Sequence, residues 1–240
     1  MADVSCDLKS CFLCTNCSPS WKALIAVKKT THLFKRGKRV FVEGDPVSGI
    51  YFMNTGSVKI SKNWGGEKDI ILRFAIAGDV LGHRGFGGEP VYPVTATALE
   101  DSIACFIDNE LLESTLMTNI SFTYQLMQEY AKELLRAEHR MWDLAHRDVK
   151  DRIILALFEI ADAFGSMDND FISIPITRQD IAAYAGTSYE TVFKLFAELS
   201  AKNKLTTLGK HIKINDRPAL EGMLNKENYL SRLELTGTKY

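Results

Sequence analysis

The chain has 240 residues and a formal net charge of -1, 29 Lys and Arg against 30 Asp and Glu, which by itself gives no sign of nucleic-acid binding and leaves that question to where the basic residues cluster. Hydrophobic residues make up 46% and charged residues 25%, the balance of a globular chain able to bury a core in one or two domains. No apolar run reaches the roughly 18 residues of a membrane span, and Asp3 and Asp7 stand where a signal peptide would be basic and then apolar, so the expected location is the cytoplasm with no membrane partner.

An arm comes first, residues 1–22, carrying Cys6, Cys11, Cys14 and Cys17; the one further cysteine is Cys105. Five is an odd count and a reducing cytoplasm disfavours a disulfide framework, which leaves the thiols for metal, cluster or redox chemistry. Cys105, inside SIACFI, suits apolar core filling as well as it suits a ligand.

Residues 23–112 form the next section. From about Leu24 to Ile107, runs such as THLFKRG, RVFVEGDPVSGIYFMNTG and SVKISKNWGGEKDIILRFAIAGD are cut by glycine and polar turns, and Val58, Ile60 and then Ile70, Leu72, Phe74 repeat at period two. That pattern predicts a compact β-rich domain whose strands bury one face.

Between Leu111 and Val149 there is neither glycine nor proline, which predicts a long helix, the section 113–147, with a break near Thr118–Ser121 where an asparagine or serine could cap. Ile120, Met127, Leu134 and Met141 recur every seven residues, and Thr123, Tyr130, Ala137 and Leu144 lie three further on. This is the spacing of a coiled-coil seam in a homodimer; the alternative is a single helix lying on its own domain.

The section 148–228 contains RIILALFEIADAF, PITRQDIAAYAG, TSYETVFKLFAELSAKNKL and TTLGKHIKIN, and a tail, 229–240, follows. A short helix from Ile176 or Thr177 to Gly186, a second capped by Thr187 or Ser188 with Glu190 closing a capping box from Thr187, and two strands around a Gly209–Lys210 turn outline a winged helix-turn-helix. The fold class expected for the whole is α+β. In such a unit the second helix enters the major groove by its first turns, which nominates Ser188, Tyr189, Glu190, Phe193 and Lys194. Lysine donates to guanine, glutamate accepts from cytosine, and Tyr189 or Phe193 can touch a thymine methyl. Thr177 and Arg178 on the first helix and Lys210 on the wing complete the expected DNA-binding set, and Lys202, Lys204, His211, Lys213 and Arg217 add local positive charge for phosphates. Two other readings stay open: Glu190 and Lys194 as an ordinary helix ion pair, and the winged unit as a protein-binding module.

Taken together, the three sections resemble the CRP/FNR family of bacterial transcription regulators, over about residues 25–224. TRQDIAAYAGTSYETVFKLFAEL resembles that family's helix-turn-helix, and GDVLGH at 78–83 resembles its β-roll signature. The resemblance implies an N-terminal cyclic-nucleotide-binding-like β-roll that senses an effector, a dimerisation helix, and a winged helix-turn-helix on two-fold symmetric double-stranded DNA, with RNA polymerase as a partner. Glu190 and Lys194 match the glutamate and basic residue with which members read base edges. Tyr189 stands where many members have arginine and Phe193 replaces a smaller residue, so the half-site sequence does not carry over.

Cyclic-nucleotide-binding members have a glutamate where this chain has His83, and an arginine followed by serine or threonine shortly after. Here the loop reads GHRGFGGEPVYPVTATA, Arg84 stands on a different step, and no arginine follows until Arg136, so cAMP is not expected. The loop instead looks like the FNR branch, which senses oxygen through a 4Fe-4S cluster held by three N-terminal cysteines and one on the roll. That resemblance implies Cys11, Cys14, Cys17 and Cys105 as ligands, with Cys6 as an alternative to Cys11 because the spacing departs from that of the enteric oxygen sensor. The residues agree with this: four thiolates suit a cluster or zinc, and only a ligand from the roll can tie the arm to it. Zinc, thiol oxidation without a metal, a small-molecule effector and constitutive DNA binding remain alternatives. His83 is the one haem-like candidate in the roll, or else a solvated loop histidine. Asp148, Asp180 and Glu89 lack a nucleophile or base partner, and no GxGxxG, Walker or HExxH pattern occurs, so no catalytic residue and no enzyme activity are expected.

Overall fold

The computed structural model describes residues 11–63, 65, 69–86, 89–167 and 169–224. Cys6 and the tail expected over 229–240 lie outside the described residues. Contacts divide the chain into two compact units between Ala131 and Lys132.

The first unit opens with α1 (Phe12–Asn16) and α2 (Pro19–Lys28). Pro19 sits at the start of α2, where its missing N–H costs nothing, and the good helix formers of WKALIAVK carry the helix to Lys28. The β-rich section therefore begins later than the expected Leu24, at Thr30. Its strands are β1 (Thr30–Phe34), β2 (Arg39–Phe41), β3 (Gly49–Thr55), β4 (Val58–Asn63), β5 (Asp69–Ala75), β6 (Val80–Leu81), β7 (Thr95–Ala98) and β8 (Ser102–Asp108), with a 3-10 turn at His83–Phe86. They make two four-stranded antiparallel sheets, in the orders β1-β8-β3-β6 and β2-β7-β4-β5.

Alternation along β3 and β8 decides where the cores lie. Met53 and Ala104 face into the roll and join Phe41, Val58, Ile60 and Tyr92. Ile50, Phe52, Cys105 and Ile107 face the other way and are covered by α1, α2, α3 (Asn109–Thr118) and the start of α4 (Ile120–His146). With both faces buried, IYFM and IACFI read as nearly continuous apolar runs. The break between α3 and α4 falls at Asn119, as the sequence predicts.

In the second unit, α5 (Val149–Phe164) packs on α6 (Arg178–Ala185), and α6 on α7 (Tyr189–Ala201); β9 (Leu205–Leu208) and β10 (His211–Ile214) form the wing, and α8 (Arg217–Glu221) follows. A capping box starts α6: Thr177 Oγ1 accepts from the Asp180 N–H at 3.0 Å, and Asp180 Oδ2 accepts from the Thr177 N–H at 3.2 Å. Gly186 ends α6 at φ +62°, in the left-handed region glycine favours. The capping box expected between Thr187 and Glu190 does not form. The Thr187 N–H closes the end of α6 on the Ala182 carbonyl at 3.0 Å, which makes Ser188 the cap of α7, with its Oγ accepting from the Thr191 N–H at 3.2 Å. The observed class is α+β: a β-roll, a long helix and a C-terminal winged helix-turn-helix.

Candidate functional site

Two places concentrate chemistry: the thiols on the outer face of the roll, and the first turns of α7.

Cys11, Cys14 and Cys17 stand three apart on and around the single turn of α1, so they share one side of it. Cys105 lies on β8, paired with Thr31 of β1 on one side and Phe52 of β3 on the other. All four are buried and reduced, in a cluster that is otherwise apolar. Hydrogen bonds from the Cys105 and Cys14 thiols hold Cys11 well below the usual thiol range. Burial pushes Cys17 up to about 12, and the nearby Cys11 charge adds to the rise. Lys29, half-buried just after α2, brings its Nζ within 3.9 Å of both Cys14 Sγ and Cys105 Sγ, one sulfur from the arm and one from the roll. Among the described residues no three His, Cys, Asp or Glu side chains are grouped as a single metal ion would need them. The four sulfurs are buried in one cluster, with Lys29 beside Cys14 and Cys105, and four cysteines are in kind a soft donor set compatible with an iron-sulfur cluster.

The arm is fastened by more than sulfur. Phe12, between two of these cysteines, stacks on Phe52 at 6.2 Å and meets Phe122 of α4 edge-on at 5.8 Å. Trp21 Nε1 donates to Thr115 Oγ1 at 3.0 Å. Sequence reasoning missed Phe12, Trp21 and Lys29; an apolar residue between paired cysteines was the available signal for the first.

His83 is not a solvated loop histidine. It is buried in the 3-10 turn with its ring against that of Tyr130 at 4.9 Å, and the Tyr130 hydroxyl donates to the His83 carbonyl. Arg84 beside it is exposed. Within the roll Tyr92 stacks on Phe41 at 4.2 Å and donates to the Gly49 carbonyl at 2.8 Å.

Along α4, Phe122 and Leu126 face the roll while Ile120 (82% exposed), Met127, Leu134 (63%) and Met141 (64%) stand out, with Ala137 also exposed. Three of the expected seam residues have other neighbours as well. Tyr130 is engaged with His83, and a Leu144 methyl lies so close to Gly186 that a Cβ there would meet it at 2.8 Å. Thr123 donates to the Leu116 carbonyl at 2.6 Å.

On the winged unit, Tyr189, Glu190, Phe193 and Lys194 are exposed on the first turns of α7, and Val192, Leu195, Phe196 and Leu199 are buried behind them. Thr177 and Ser188 serve as caps, and Arg178 turns inward over Phe193 and Phe196. Several of the basic residues expected around the wing also pair with acidic neighbours at the surface. Lys202 pairs with Glu198 at 2.7 Å, Lys213 with Asp170 at 2.8 Å, and Arg217 with both oxygens of Asp162, which raises the Arg217 pKa. Lys194 and Lys210 are exposed and have no ion pair among the described residues. Arg152, unremarked in the sequence, holds the turn itself: its guanidinium donates to the carbonyls of Ala185 at 3.0 Å, Gly186 at 3.2 Å and Arg147 at 2.9 Å.

Residues 31–119 match the cyclic nucleotide-binding domain family, and residues 151–223 match the Crp-like helix-turn-helix domain family. The chain is similar to the transcriptional activator protein FnrA of Stutzerimonas stutzeri, 28% identical over 217 residues covering 87% of this chain and 88% of FnrA. It is similar also to the CRP-like cAMP-activated global transcriptional regulator of Mycobacterium tuberculosis, 27% identical over 189 residues covering 78% and 84%. Among solved structures, FixK2 from Bradyrhizobium japonicum has the same fold, with a TM-score of 0.71 at 23% identity over 82% of this chain and 98% of that one.

Proposed function

The chain belongs to the CRP/FNR family of DNA-binding transcription regulators, not to an enzyme family, and we propose that oxygen or redox state controls its DNA binding through a 4Fe-4S cluster held by Cys11, Cys14, Cys17 and Cys105. One observation carries this reading: three cysteines of the arm and one of the roll are buried together, with Lys29 beside two of them. A cluster bound there would supply an oxidant-sensitive, electron-accepting centre.

The chain's own residues supply the coupling. Cys11, Cys14 and Cys17 flank Phe12, which packs on Phe52 and Phe122, so a group held by these cysteines would also hold Phe12 in place. Releasing that hold strips cover from Phe122 and Leu126 and so alters the packing of the first turns of α4, which also bear Ile120 and Met127. The exposed stripe Ile120, Met127, Leu134, Met141 is the seam of a homodimer in this reading, because apolar stripes of this length are covered in solution. Two copies then present two α7 helices to a two-fold symmetric duplex in the cytoplasm, with RNA polymerase as the further partner. Leu134→Glu should convert the dimer to monomers in sedimentation and abolish binding to a two-half-site duplex; a dimer unchanged by it would remove the seam.

The test of the sensor is iron, acid-labile sulfide and zinc per chain in protein purified without oxygen, with the visible spectrum and DNA affinity followed as air enters. About four iron and four sulfide per chain, a band that bleaches in air and a fall in affinity are expected. Iron absent after reconstitution would overturn the cluster. A second reading, a thiol switch without metal, is favoured by the hydrogen bonds from Cys105 and Cys14 that lower the Cys11 pKa; it predicts that oxidant still changes DNA affinity in iron-free protein.

A further inference from the structure

Arg178 is the first residue of α6, directly after the Thr177 cap, and a cation there is expected to meet a DNA phosphate. Its side chain does something else. The guanidinium carbon lies 5.6 Å from the centre of the Phe196 ring and 5.9 Å from that of Phe193, and Nη2 donates to Thr207 Oγ1 of β9 at 3.3 Å. Its Nε is buried and has no hydrogen-bond partner among the described residues. A guanidinium that leaves a buried N–H unsatisfied is held by its other contacts, here two aromatic faces and the wing hydroxyl.

Phe196 belongs to the core, but Phe193 is 52% exposed on the side of α7 that carries Glu190 and Lys194. One turn earlier Tyr189, 41% exposed, stacks on it with ring centroids 6.2 Å apart and planes 26° apart. Phe193 has no donor or acceptor, so the only base feature it can distinguish in the major groove is an apolar one, a methyl group at C5 of a pyrimidine. A ring already fixed from below loses little freedom when it meets that methyl, whereas a loose ring would have to be ordered on binding.

We infer that Arg178 is a positioning residue for base reading: wedged against Phe193 and Phe196 and tied to the wing at Thr207, it fixes the stacked Tyr189–Phe193 pair as an apolar face of α7 that selects duplexes bearing C5-methyl groups, those of thymine above all. The inference rests on the DNA-binding reading and is independent of the thiol site.

The test uses the full chain, loaded as it is isolated. A preferred duplex is first selected from a randomised pool, and its affinity is then compared with that of the same duplex carrying deoxyuridine for the half-site thymines, at several salt concentrations. Wild type should lose about fourfold for each contacted methyl removed. Phe193→Ala should bind the two duplexes alike. Arg178→Gln and Arg178→Lys should both shrink the thymine-to-uracil ratio toward one while keeping the wild-type salt slope, because neither change removes a phosphate contact. An Arg178 that contacts a phosphate predicts the opposite: Arg178→Gln lowers the slope by about 0.9 with the ratio intact, and Arg178→Lys behaves as wild type. That result, or equal wild-type affinity for the two duplexes, overturns the inference. If no duplex can be selected at all, the DNA-binding reading itself falls and takes this one with it.

Discussion

The winged unit and the thiol face of the roll are fastened by contacts of different reach. Around α6 and α7 three helix ends are fixed by near neighbours in sequence: Thr177 and Asp180 start α6, Gly186 and Thr187 finish it, and Ser188 starts α7. On the thiol face the partners are far apart in the chain: Cys11 with Cys105, Phe12 with Phe122, Trp21 with Thr115 across 94 positions. Ties of that reach order a long stretch of chain for few contacts, so losing one group releases much conformational entropy. The difference assigns the two regions different tasks. In the proposed function, the reading surface is the part that stays formed and the arm the part that a chemical change lets go.

The sharpest way to break this contrast is Cys105→Ser. It removes the roll's only sulfur from the thiol site; anaerobic reconstitution should then load essentially no iron, and amides 11–28 should lose exchange protection while those of α6 and α7 keep theirs. Loss of protection in both regions would contradict the separation. Phe12→Ala leaves every cysteine in place but empties the space between Phe52 and Phe122; denaturant unfolding should report about 3–5 kcal/mol lost from the roll unit alone. Gly186→Ala probes the other region. It places a Cβ at φ +62°, worth about 1–2 kcal/mol, and pushes it toward the Leu144 methyl, so melting of the winged unit should fall and DNA affinity with it. The smallest effect belongs to Thr177→Ala, about 1 kcal/mol for a lost cap, with iron loading unchanged.

The same contrast decides what could be read from residue order. Glycine punctuation, period-two runs, the break at Asn119 and the Ala-Gly-Thr turn are local signals, and they place the strands, the long helix and the winged unit. The features that escaped depend on distant partners or on competition between neighbours. WKALIAVK reads as the edge of a β-rich section, yet its helix formers carry α2 to Lys28. His83 looks like a loop histidine until Tyr130 of α4 covers it. The ion pairs of Lys202, Lys213 and Arg217 with Glu198, Asp170 and Asp162 are likewise visible only once the chain is folded. In the thiol site, the cysteine spacing was visible in the sequence, whereas Lys29 becomes a neighbour only when β1 pairs with β8.

Cys105 sits in a strand pinned on both sides, by Thr31 of β1 and by Phe52 of β3, while its three companions ride on one short turn of helix. In the proposed function the arrangement works as a vice, with one jaw cast into the bench and one that slides. The fixed jaw decides where anything gripped must sit, and the sliding jaw decides whether it is gripped. Substitutions in β8 should therefore displace the site, and substitutions in the arm should change how readily it opens.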